Sequence, residues 1–73
     1  MVDRSTLMEE LKRAMVLVAE GKERVDHQRK IVATLEQDGH DTTLAKTVLG
    51  TLEQTQQTYE DHLHLVQSEV DEA

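Results

Sequence analysis

Asp38-Gly39-His40-Asp41-Thr42 is the one place in the chain where a glycine meets other turn-forming residues. Gly39 suits the left-handed residue that follows a helix end, and Asp41 or Thr42 suits the N-cap of the next helix. Gly21 and Gly50 are the only other glycines, and no proline interrupts the chain. Working outward from the turn at 38–41, the pattern predicts a first helix over about 6–37 and a second over about 42–69. Thr6 and Glu9 form a T-x-x-E capping box at the front. Acids at Glu69, Asp71 and Glu72 oppose the helix dipole, so the last turn is expected to fray. So short a turn returns the second helix antiparallel to the first. The fold class is therefore all-α, a two-helix hairpin within a single domain spanning 1–73.

Apolar periodicity supports both helices. Leu11, Val18, Val25 and Val32 recur every seven residues, and Ala14, Gly21, Gln28 and Leu35 follow three positions later. In the second helix the stripe is Ala45, Leu49, Leu52, Gln56, Tyr59, Leu63, Val66 and Val70, with Val48 widening it. Both are seams of the coiled-coil type. Aligned through the turn, Leu35 should meet Ala45, Val32 Val48, Gln28 Leu52, Gly21 Tyr59, and Ala14 Val66. Gly21 then reads as a slot for Tyr59 or for a close helix approach, although it costs about 1 kcal/mol of helix propensity against Ala.

A hairpin alone buries one seam. Leu7, Met8, Met15, Leu17, Ile31, Leu44 and Leu49 spread beyond a narrow stripe and need a second surface. The chain has 73 residues and no cysteine, so disulfides and thiolate metal sites are excluded. Domains this small usually need a staple, a metal or a partner. The sequence therefore predicts pairing of two hairpins into a four-helix bundle, with C2 symmetry as the commonest arrangement. Thr47 to Tyr59 carries one charge, Glu53, as interface cores do. Gln28, Thr55 and Gln56 are expected to share a polar layer that sets register.

Charge limits the partners. Residues 1–37 hold seven basic and seven acidic side chains, whereas residues 38–73 hold Lys46 against eight acids, which gives the net charge of -7. An acidic half repels phosphate backbones. No stretch approaches the ~20 apolar residues of a membrane span, and no signal-peptide core is present. The expectation is a soluble, cytoplasmic, non-enzymatic homodimer that acts through protein–protein contact, with another protein as the alternative partner, and with no cofactor, metal or membrane.

Chemistry-bearing residues are sparse. His62 and His64 are two apart and diverge on a helix, and Glu60/His64 and Glu23/His27 read as surface pairs. No E-x-x-H motif of a di-iron bundle occurs. His40 falls in the turn. His27-Gln28-Arg29-Lys30 is an H-x-x-K segment that resembles the phospho-acceptor of histidine phosphotransfer domains and some sensor kinases. That resemblance implies an exposed His27 as acceptor, with Lys30 neutralising incoming charge. It departs from the pattern at Ile31, where those proteins carry Gly or Asn. RNA binding is a third reading, through Arg13, Lys22, Arg24, Arg29 and Lys30, but interleaved acids cancel that face.

One broader likeness covers most of the chain. Glu20-Gly21, Glu23-Arg24-Val25, Gln28-Arg29, Ile31, Leu35-Glu36, Asp38 to Thr42, Ala45, Leu49 and Leu52 together resemble a group of short helical proteins of alphaproteobacteria. The resemblance implies a bacterial source and the same hairpin, and brings no activity or catalytic residue with it.

Overall fold

The computed structural model describes residues 3–72. Two helices, α1 (Arg4–Gln37) and α2 (Thr43–Glu72), pack side by side along their length. The result is a rod with extents of 55 × 14 × 13 Å. Among the described residues the body is all-helical with no layer behind either helix, so everything buried there lies in one seam.

The turn uses backbone geometry that only glycine adopts at low cost. Gly39 has φ 72°, the one positive φ among the described residues. That conformation lets the His40 N–H donate to the Leu35 carbonyl at 2.9 Å and the Gly39 N–H donate to that of Glu36 at 3.2 Å. This is the Schellman pattern, which satisfies the last carbonyls of α1. Capping of α2 is shared between two residues. The Thr42 carbonyl accepts the first helical bond, from Lys46 N–H at 2.9 Å. The Asp41 carboxylate accepts from the Thr43 backbone N–H at 2.9 Å and from its hydroxyl at 2.7 Å.

The helix ends differ from the sequence reading in two places. Thr6 is not the N-cap: α1 starts at Arg4, and Asp3 caps it by accepting from the Ser5 N–H at 3.2 Å. Asp and Thr both serve at an N-cap, and the earlier one wins because the extra turn brings Leu7 into the seam, where it is buried. At the other end α2 does not stop near residue 69 but continues to Glu72. Leu7 lies near the start of α1, and only the far end of an antiparallel α2 can cover it. The packing of Val66, buried, and Val70, half-buried, outweighs an unfavourable dipole interaction that amounts to a few tenths of a kcal/mol on an exposed surface. Gly50 causes no break, since α2 is continuous through it.

The Thr43 backbone N–H, and then its hydroxyl, hold the Asp41 carboxyl below its ordinary pKa. A depressed carboxylate pKa stabilises the fold above the unfolded-state value and loses that contribution as pH falls through the folded one. We therefore expect acid titration of the turn to release the start of α2 below pH ~3.9, seen by NMR as loss of Thr43 amide protection. In Asp41→Asn the same amide should show no acid step.

Candidate interaction surface

The seam between the helices is the most extended site among the described residues. Ala14, Gly21, Val25 and Val32 of α1 and Gln56 and Val66 of α2 are buried in it. Leu11, Val18, Gln28, Leu35, Ala45, Leu49, Leu52, Tyr59 and Leu63 are half-buried along its edges. Leu7 belongs to it as well, at 5% exposure. It stands seven residues before Ala14, so the heptad contains it, although the sequence reading set it outside the stripe. Val48 does not face Val32 across the seam. It is 40% exposed and stands on the flank of α2.

The register turns on one interlock. Gln56 crosses the seam, and its Nε2 donates to the Val18 carbonyl at 2.9 Å. Its Oε1 occupies the space where a Cβ at position 21 would be. A side chain at 21 would also stand 3.0 Å from Gln56 Cδ and 3.4 Å from a Tyr59 ring carbon. Gly21 is therefore primarily the slot for Gln56, with Tyr59 behind it. The Gln56 Oε1 is buried and finds no N–H or O–H donor. It lies against the Gly21 backbone, where a Cα–H contact offsets part of the desolvation cost.

The expected polar layer does not form. Gln28 donates to the Ala45 carbonyl at 3.0 Å, nearly three turns of α1 away from the Val18 carbonyl that Gln56 uses. Thr55 is exposed. Each glutamine instead bonds a backbone carbonyl of the opposite helix, so the two act as separate clasps. The sequence shows two amides in an apolar stripe but not which carbonyls they meet, because that depends on an axial offset of only a few ångströms between the helices.

The surface is uneven. Arg29 pairs with Glu53 at 3.1 Å and Lys46 with Glu36 at 3.4 Å, both across the two helices. Arg24 pairs with Glu20 at 3.4 Å and Arg29 with Asp26 at 3.6 Å within α1. All are solvent-exposed and contribute little each, but they engage two of the five cations that an RNA-binding face would use. Eight large apolar side chains are exposed, against five buried hydrophobic residues.

The remaining chemistry is thin. His27, His40, His62 and His64 are all exposed, and no group of three or more His or acidic side chains among the described residues could hold a metal ion. His27 and Lys30 border one shallow depression with Ile31, Thr34 and Leu35. A second depression, of about 300 Å³, runs along the ion-paired flank from Lys22 to Glu60. No described helix is long and apolar enough to cross a membrane. Set against protein families, curated proteins and solved structures, the chain matches none.

Gly21 and Gly50 make a matched test. A Cβ at Gly50 meets nothing within 4 Å, so Gly50→Ala should raise stability by up to about 1 kcal/mol. Gly21→Ala gains the same propensity but expels the Gln56 amide, and a net loss of about 1 kcal/mol is expected. In a Gln56→Ala background the sign should reverse, and Gly21→Ala should stabilise. Thermal denaturation of the four variants reads the coupling; no sign change would mean that the two residues are independent.

Proposed function

We propose that this chain is a non-enzymatic protein–protein interaction module, a helical hairpin that pairs with a second copy into a four-helix bundle. It acts as a small regulatory or adaptor element in the cytoplasm. The observation that carries this reading is the excess of exposed over buried large apolar side chains on a rod with a single seam. Soluble monomers seldom leave so much apolar surface uncovered, and a chain of this size gains the missing burial most readily from itself. The shallow depression between the helices, lined by charged and amide side chains with Val25, adds support, because substrate pockets are deeper and more apolar. The acidic charge and the pairing of Arg24 and Arg29 weigh against an RNA partner.

Sedimentation equilibrium over a wide concentration range, with helicity followed by circular dichroism, tests the reading. A helical dimer that persists on dilution is expected. Val25→Glu or Leu52→Glu should abolish dimer mass and helicity together, because each puts a charge into the seam. A fully helical monomer at every concentration would remove the homodimer.

A phosphotransfer role for His27 is the second reading. It is favoured by one observation, the exposure of His27 and Lys30 at the rim of the same depression. Incubation with acetyl phosphate, with His27→Ala as control, decides it. Phosphorylation that is acid-labile and lost in the variant would support the role, and an unmodified wild type would end it.

A further inference from the structure

The two flanks of the hairpin are unlike. Arg29, Glu36, Lys46 and Glu53 each directly follow a seam residue, and they close one flank with the two cross-helix ion pairs. The opposite flank is made by residues that directly precede seam residues. There stand Leu17 and Ile31 on α1, and Val48, Leu44 and Leu65 on α2, exposed by 37% to 76%. Between them α2 offers Thr51, Thr55 and Thr58, with no charge. The Thr51 and Thr58 hydroxyls donate to the Thr47 and Gln54 carbonyls of their own helix, both at 3.2 Å. Their hydrogen-bonding capacity is therefore largely used internally, which leaves methyl groups for a neighbour. On α1 the charges of this flank alternate in sign, and Arg24 is paired with Glu20.

We infer that a second copy covers this flank, and that the two hairpins meet with their turns at the same end, α1 of each beside α2 of the other. The inference rests on the homodimer reading above and adds the face and the orientation. Two observations favour this arrangement over the one with turns at opposite ends. The first is charge. α1 carries seven basic against six acidic side chains, and α2 one lysine against six acids. Turns at opposite ends would lay α2 along its acidic copy, with axes about 8–10 Å apart. With turns at the same end, α2 lies between the two α1 helices and diagonal to its copy, at a separation of about 13 Å. That exceeds the Debye length of about 10 Å at 0.1 M salt.

The second is the level of the apolar residues. Gly21 lies against Gln56, so in the antiparallel pair Ile31 stands level with the turn of α2 that holds Leu44 and Val48. Leu17 by the same register stands level with Glu60, between the flank residues Thr58 and His62. Turns at the same end put each level against itself, so that Ile31 of one copy meets Leu44 and Val48 of the other, apolar on apolar. With turns at opposite ends α1 would meet its own copy reversed. With the two α1 helices in full overlap, Ile31 would then face Glu10, and Leu17 would face Arg24, because these pairs are equidistant from the middle of Arg4–Gln37.

The chain has no cysteine, so one introduced thiol carries a unique label. A nitroxide on His40→Cys, in the exposed turn, reports the distance between the two turns by double electron–electron resonance. With the turns at the same end it should be roughly 10–25 Å, given neighbouring axes about 8–10 Å apart. A distance near the 55 Å length of the rod would overturn the orientation while leaving the dimer intact. Monomer mass in sedimentation, without dipolar coupling, would overturn the homodimer and this inference together. The face is read separately: Ile31→Lys or Val48→Lys should weaken association about tenfold or more, and Met15→Lys, on the ion-paired flank, should not. The reverse ranking would place the interface on the other flank.

Discussion

Gln56 reaches across the seam to the Val18 carbonyl and rests its amide on the bare backbone of Gly21. The axial and lateral fit of the two helices depends on this contact. A stripe of Val, Leu and Ala is tolerant of sliding, since one aliphatic layer resembles the next. A buried amide is not, because a shift of even a few ångströms would leave its N–H group without an acceptor, at a cost of roughly 1–3 kcal/mol. The only site for that amide is a helix position with no side chain. Gly21 gives up about 1 kcal/mol of helix propensity and in return admits the one polar group that selects the register. Gln28, bonded to the Ala45 carbonyl, repeats the restraint near the turn.

With the register set in this way, the sides of the rod follow. Residues after each seam position fall on a flank where opposite charges meet, as Arg29 meets Glu53 and Lys46 meets Glu36. Residues before each seam position fall on a flank that is mostly aliphatic and threonine on α2, while on α1 Leu17 and Ile31 stand among charges of alternating sign. These two flanks are chemically different because the heptad leaves two unequal shoulders on either side of its stripe, and antiparallel pairing puts like shoulders together. Five of the eight exposed large apolar side chains stand on this second flank, and Met8 and Met15 stand on the ion-paired one.

Charge asymmetry between the helices adds direction. α2 holds most of the negative charge and α1 is nearly neutral. Within one hairpin this makes α1 the better neighbour for α2, and between hairpins the same preference holds. The orientation we propose for the pair extends to four helices the electrostatic preference already present in two.

Much of the fold was legible in the residues themselves. The heptad spacing of Val18, Val25 and Val32, and of Leu49, Gln56 and Leu63, requires helices with one apolar stripe, and Gly39 among Asp and Thr requires the turn. These are local properties, set by helical periodicity and by the absence of a Cβ at a left-handed residue. The helix ends were less legible. Asp3 and Thr6 are both sound caps, and the choice between them depends on Leu7 being covered from the far end of α2. The sequence set Tyr59 against Gly21, whereas Gln56, the adjacent position of the same stripe, fills that slot with Tyr59 behind it. That Gln28 and Gln56 act as separate clasps, and that Val48 belongs to a flank, were decided only by tertiary structure. Periodicity states which face a residue occupies, but the offset between two faces is set where side chains of different length meet.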